Sequence, residues 1–442
     1  MIITPEFKLQ VQTAFDTMQS KSDFLVLLNI AKQIMYGNKT VPFSEKQLNY
    51  FITKDSRVLK SKVDFQIDLA GAETIIKENV VVEKKNTNRK DCYVPFIIKK
   101  KSGQDRTIHA PVKGLKEFQK ALNIILKCIH EPHTAATGFV TGKSIVDNAI
   151  KHIGQTYVYN IDLKDFFPSV DRSRIWGRLL VEPFNLGTTI ERKNIANFIA
   201  TLCCTPMEVE RFKEGQWISV TTSVLPQGAP TSPTLTNIIC EKLDKRLSGV
   251  AKRFGLNYSR YADDITFSSK HNTYEVSPLK VEKIFASGST FDCEVRKIIT
   301  EQNFHIKESK VRLQKRGYRQ EVTGLVVNDK INVTRRYVKQ LRQWLYLWER
   351  YGYDKAYTIF LNIYLADKGH VKSEKPNMAM VIEGKLLYLK MVKGADDGTY
   401  LKLKERFDLL LGEQPKNNSA EVNIVDLIFD VGLDKAMKHY NK

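Results

Sequence analysis

Two aspartates in immediate succession, Asp263 and Asp264, and a third, Asp162, about 100 residues earlier, are the side chains of this sequence best suited to chemistry. Neighbouring carboxylates raise each other's pKa unless a positive charge lies between them. A divalent cation answers that need, and hard cations such as Mg²⁺ prefer carboxylate oxygens. Two such ions about 3.5–4 Å apart suit in-line phosphoryl transfer, one lowering the pKa of an attacking hydroxyl and the other stabilising a leaving pyrophosphate. Asp162, Asp263 and Asp264 are therefore the expected metal ligands and catalytic residues. An acidic pair is also what an ordinary solvated turn contains, so the flanking elements have to decide.

Those elements are legible. From Thr156 the run TYVYNIDL alternates like a half-buried strand, with Val158, Asn160 and Asp162 on one face and Tyr157, Tyr159 and Ile161 on the other. The run LNYSRYADDITFSS reads as two short strands meeting at Ala262, Asp263 and Asp264. Between them, Ser232 and Pro233 form a cap and first turn for a helix carrying Leu235, Ile238, Ile239, Leu243, Leu247 and Val250, closed by Gly255. Three acidic groups thus have routes to one place. Upstream, residues 5–55 look helical, with Ser20 opening one helix, Gly37 ending it, and Ser44 with Gln47 forming a capping box for the next. Between Val81 and Arg106 lies a basic hairpin around YVPFII. After Gly324 the pattern turns to long helices. Thr334 caps one whose Arg335, Lys339 and Arg342 share a face, opposite Val338, Leu341, Leu345 and Trp348.

The 442 residues allow about two to four structural units. With 69 Lys and Arg against 49 Asp and Glu, the net charge of +20 points to a polyanionic partner, nucleic acid before an anionic membrane. The six cysteines form no CxxC pair and are read as reduced, mostly core thiols. The N-terminus lacks a signal-peptide pattern and no stretch reaches the roughly 18 apolar residues of a membrane span, so a cytoplasmic protein is expected.

The motifs occur in an order that resembles the reverse transcriptases. The string YADD (Tyr261 to Asp264) follows Asp162 on its strand, with LPQGAPTSP (Leu225 to Pro233) between them. The basic block KKKSGQDRTIHAP (Lys99 to Pro111), NIDLKDFFPSV (Asn160 to Val170) and EVTGLVVN (Glu321 to Asn328) extend the match. Within that family the chain is most similar to bacterial retron-type enzymes and related defence-associated ones, through Asn148, Ala149 and His152 in GFVTGKSIVDNAIKH and through Val322-Thr323-Gly324. Thr137 stands where retron enzymes usually carry His, and the tail past Gly324 is long for a retron.

The resemblance implies an α+β right-hand polymerase: an N-terminal helical region over 1–80, fingers over 81–155, and an antiparallel palm backed by helices over 156–328, with a finger-like insertion at about 175–224. A helical thumb over 329–412 and an extension over 413–442 complete it. It also implies an RNA-directed DNA polymerase using two Mg²⁺ ions, with Mn²⁺ a substitute. That enzyme copies its own structured noncoding RNA from dNTPs for antiphage defence and works with a separate effector protein. A defence enzyme without such an effector, a group II intron-like enzyme, and an inert RNA-binding scaffold are the alternatives. Lys99, Lys100, Lys101 and Arg106 would close over the triphosphate, and Asp165 would hold triphosphate and 3′-hydroxyl. Phe167 would exclude a ribose 2′-hydroxyl. Gln227 and Gly228 would meet the incoming nucleotide and template. Lys310, or Lys307 in its place, would protonate the pyrophosphate. Asn148 and His152 would contact the noncoding RNA, or His152 would be a helix-cap or core residue. Arg335, Lys339 and Arg342 would track the template–primer duplex, with Lys390 and Lys393 extending that track. Trp344 and Trp348 are read as helix core.

Overall fold

The computed structural model describes residues 3–37, 39–52, 59–67, 73–82, 92–99, 105–367 and 375–412. Its N-terminal part is built by capped amphipathic helices. Pro5–Thr17, Lys21–Tyr36 and Glu45–Ile52 gather around the helix Lys113–Ile129, burying Phe15, Phe24, Leu28, Phe118, Leu122 and Ile125. Ser20 accepts from the Asp23 amide while the Asp23 carboxylate accepts from the Ser20 amide, and Ser44 and Gln47 make the reciprocal pair for the third helix. The helical region does not run to residue 80. Leu59–Ile67 and Glu73–Val82 form an antiparallel strand pair, for which Val63, Phe65 and Ile67 at period two and the run Val80-Val81-Val82 supply the β pattern. A second antiparallel pair, Tyr93–Lys99 with Asp105–Pro111, is the basic hairpin.

The centre is an antiparallel sheet. Its middle strand, Tyr157–Lys164, pairs with Asp264–Ser269, which pairs in turn with Asn257–Tyr261. On its other side Tyr157–Lys164 meets two short strands, His305–Ile306 and Arg312–Lys315. The middle strand is buried on both faces rather than half-buried, because helices and the C-terminal unit cover opposite sides. Tyr159, Ile161 and Leu163 face the helices Ser232–Arg253 and Thr290–Glu301 in the main core, whereas Val158 packs with Val322, Leu325 and Val327 into the core of the C-terminal unit. Ser232 does not cap its helix, since its hydroxyl donates to the Pro226 carbonyl at 2.7 Å and Thr231 occupies the cap position.

Between middle strand and long helix, residues 172–224 fold as helices Arg172–Leu179 and Ile190–Cys203 followed by a hairpin, Thr205–Lys213 with Gln216–Val224. The C-terminal unit is helical. Arg335–Asp367 is two helical pieces broken at Gly352 (φ 74°), packed with Met378–Lys393 and Gly398–Gly412 around buried Trp344, Trp348, Phe360 and Phe407. The molecule is thus α+β, as expected. Among the described residues, no helix is long and apolar enough to cross a membrane. The 413–442 extension lies outside the described residues.

Candidate active site

Register brings the acidic groups together. Asp162 stands directly opposite Asp264 on the neighbouring strand, and paired residues project from the same sheet face with Cβ atoms about 4.5–5.5 Å apart. Asp263 lies in the tight turn joining the two short strands, and its carbonyl accepts from the Leu163 amide at 3.0 Å, which pins the turn to the middle strand. Ala262 takes a left-handed φ of 57° to make that turn. The far edge of the sheet breaks opposite Asp162 for a single 3₁₀ turn, Glu308–Lys310, so the Lys307 amide bonds the Asp162 carbonyl at 2.8 Å. The same break swings the Lys310 ammonium onto the Asp162 carboxylate at 2.6 Å. Of the two candidate lysines, Lys310 is the one whose side chain reaches the site. A groove of about 560 Å³ runs over these groups, walled by Asp162, Asp264, Lys310, Arg312, Thr323 and Gly324.

Loss of surrounding water, then the charge of Asp162, raises the Asp263 pKa, against the pull of Lys310 and Arg106. Loss of water comes first for Asp264 too, followed by Asp263 and Asp162, and together they push it up to about 6 although the residue keeps an exposed surface. The donors are carboxylate oxygens only, the kind hard divalent cations favour, and their repulsion is only partly answered by protein cations. Asp162, Asp263 and Asp264 therefore fit a divalent metal. Among the described residues no three acidic, histidine or cysteine side chains already enclose one point.

Some of the nucleotide-pocket candidates can be placed relative to this turn. Arg106 is exposed on the basic hairpin, and its charge is felt by Asp263. Lys100 and Lys101 lie outside the described residues, and Lys99 is described only as the end of its strand. The Leu225–Gly228 loop is stitched to that hairpin. The His109 amide donates to the Gln227 carbonyl at 2.8 Å, and at Gly228 (φ 125°) any Cβ would lie 2.8 Å from the His109 carbonyl oxygen. Only glycine fits there. Asp165 is exposed with φ 46°, its carbonyl accepting from the amide and hydroxyl of Ser169. Phe167 is half-buried, 5.9 Å from the ring of Phe139, which in turn lies 6.5 Å from the ring of Tyr261.

Two candidates change role. Asn148 and His152 have no exposed surface, so neither can touch an RNA. His152 lies 2.7 Å from both Ser268 and Ser259, one on each strand of the hairpin that carries Asp263 and Asp264, and burial lowers its pKa to about 3. Asn148 accepts from the Thr137 hydroxyl at 2.8 Å. They brace the hairpin from beneath, which is the core alternative for His152. Lys393 is also redirected, because Asp397 and Thr399 hold its ammonium at 3.0 and 3.1 Å. Arg335, Lys339, Arg342 and Lys390 are exposed.

Sequence reasoning missed Phe139, Gly138 and Arg260. A Cβ on Gly138 would lie 2.5 Å from the Ala262 nitrogen, and Arg260 is a fully buried cation beside the acidic turn. An arginine inside the run LNYSRYADDITFSS was the available signal for the last.

Comparison with known proteins shows the family of the chain. Residues 98–327 match the family described as reverse transcriptase (RNA-dependent DNA polymerase). The chain is 39% identical over 259 residues to the retron Mx162 reverse transcriptase of Myxococcus xanthus, covering 57% of this chain and 51% of that protein. It is 35% identical over 292 residues to the retron Mx65 reverse transcriptase of the same organism, covering 65% of this chain and 62% of that one. To the retron Ec86 reverse transcriptase of Escherichia coli it is 33% identical over 255 residues, 57% of this chain and 68% of that protein. The matched segments therefore span about half to three-fifths of the two Myxococcus proteins.

Proposed function

The chain belongs to the reverse transcriptases, of the retron type, and on that premise we propose that it is an RNA-directed DNA polymerase adding deoxynucleotides to a 3′-end or a special priming hydroxyl. The observation that carries this reading is the register of Asp162 against Asp264, beside Asp263, in a groove shared with Lys310. Two Mg²⁺ ions, or Mn²⁺ in their place, held by these three carboxylates would supply the charge that activates the attacking hydroxyl and steadies the leaving pyrophosphate.

The chain's own groups divide the remaining work. To hold a cation, Asp263 and Asp264 must be ionised against the burial and mutual repulsion that raise their pKa, and Lys310 must release Asp162. Once released, its ammonium is poised to give a proton to the departing pyrophosphate. Arg106, with Lys99 and Lys100, neutralises the triphosphate. Gln227 and Gly228 carry the backbone close to the incoming base pair, tied to the hairpin that holds Arg106. Asp165 borders the triphosphate. Phe167, backed by Phe139, closes the pocket where a ribose 2′-hydroxyl would sit. Arg335, Lys339 and Arg342 track the phosphates of the duplex. The template is the enzyme's own structured noncoding RNA, and its cDNA serves antiphage defence with a separate effector protein.

One assay tests the core of this. The protein is purified with its bound RNA, given labelled dNTPs and Mg²⁺, and compared with the double variant Asp263→Ala, Asp264→Ala. Wild type should incorporate label and the variant should not; equal incorporation by both removes the polymerase reading. In the same assay Phe167→Ala should raise rNTP use relative to dNTP, and an unchanged ratio removes Phe167 from sugar selection.

A further inference from the structure

We infer that Arg260 is a positioning residue that holds the catalytic turn in its productive shape and couples it to the nucleotide-binding loop; the inference rests on the polymerase reading. Arg260 is fully buried on the strand Asn257–Tyr261. Its Nε and Nη2 grip Asp244 at 2.8 and 2.6 Å, Nη2 also donates to Asn237 at 3.2 Å, and Nη1 donates to the Ala262 carbonyl at 3.0 Å. That carbonyl belongs to the peptide joining Ala262 to Asp263. Rotation of this peptide would re-aim the Asp263 side chain.

The anchor is the helix Ser232–Arg253, which carries both Asn237 and Asp244. Its first turn is tied to the Leu225–Gly228 loop through Ser232 and Pro226. Asn237 also donates to the Gly138 carbonyl at 2.9 Å, and Gly138 lies so close to the turn that a Cβ there would come within 2.5 Å of the Ala262 nitrogen. The left-handed Ala262 is thus held at its carbonyl by Arg260 and flanked at its nitrogen by Gly138, where only a glycine fits, both fastened to one helix. A non-glycine residue keeps such a conformation only when its surroundings over-determine it. Stability alone does not call for this arrangement, because well-packed apolar residues replace buried ion pairs without loss in many proteins. What the charged fork adds is a directional bond to one carbonyl.

Arg260→Lys keeps the positive charge beside Asp244 but has no fork to reach Asp244, Asn237 and Ala262 together. In the full chain with its bound RNA, kcat for single-dNTP addition should fall by at least about tenfold while the dNTP KM stays within about twofold. Without any divalent ion, amide hydrogen exchange across residues 261–264 should accelerate by a similar factor. Wild-type kcat and wild-type exchange in a folded Arg260→Lys protein overturn the inference. Should Arg260→Lys fail to fold, Asn237→Ala, which leaves the ion pair and removes one anchor, is judged by the same two readings. A wild-type protein that adds no dNTP sinks the polymerase reading instead, and the exchange measurement still decides this one.

Discussion

Two carboxylates side by side on a turn, with a third across the strand, repel one another, and the fold answers that repulsion only in part through Lys310 and Arg106. Asp264 pays for its position with a pKa near 6 in the folded chain, above its ordinary value of 3.8. Between those values the folded state binds more proton than the unfolded one, so this group's contribution to stability falls as pH rises through that window. Asp264→Asn should therefore stabilise the metal-free protein at neutral pH by about 1 kcal/mol, a figure already reduced because solvent reaches the residue. The gap between variant and wild type should open between pH about 4 and about 6. Thermal melts in chelator across that range check it, and a variant that melts lower than wild type at pH 7 contradicts it. Acidic identity and spacing were readable directly, because carboxylates are costly to cluster and two in succession stand out. Lys310 could not be separated from Lys307 by sequence, because which one arrives depends on where the edge strand breaks into its 3₁₀ turn.

At the scale of elements, the hairpin that carries Asp263 and Asp264 is a short ladder that stands on a polar floor. His152 bridges Ser259 and Ser268 across its two strands, neutral at every physiological pH because burial holds its pKa near 3. The unfolded chain takes up that proton near pH 6.5, so the stability His152 supports is present above pH 6.5 and is lost as pH falls toward 3. His152→Ala should orphan both hydroxyls and open a cavity, costing roughly 2–4 kcal/mol. Urea unfolding measures that loss. A residue that touched RNA would behave oppositely, with weaker RNA binding and unchanged stability, and that result would return His152 to the RNA surface. The helices, strands and turn around this floor were legible from period and caps. Its burial was not, because Asn148 and His152 occupy a short helix and a 3₁₀ turn too brief for an apolar period to mark their inward face.

Across the whole molecule, a net charge of +20 becomes useful only where the surplus is exposed and aligned. Arg335, Lys339 and Arg342 meet both conditions on the outward face of a helix whose other side buries Trp344 and Trp348. Replacing all three with Gln should weaken template–primer binding across sequences and make the salt dependence shallower by about 2–3 units in log K against log[salt]. An unchanged salt slope, measured by binding titrations at several ionic strengths, removes this face from the duplex track. Lys393 illustrates the limit of counting charges, since its ammonium is spent inside the unit on Asp397.

The chain's family and its candidate site were legible in residue order alone: Asp162, the Leu225–Gly228 loop and the acidic pair follow one another at readable spacing, and strand alternation already assigned Asp162 to one face. What had to wait for tertiary structure were the partners of each group. The pairing of Asp162 with Asp264, Lys310 on Asp162, Arg260 beneath Ala262 and His152 between two serines all join residues distant in sequence or depend on where a strand breaks. Local pattern reports which face a side chain takes, because backbone geometry sets that within a few residues. It is silent on what lies across that face, which is decided by how the elements pack.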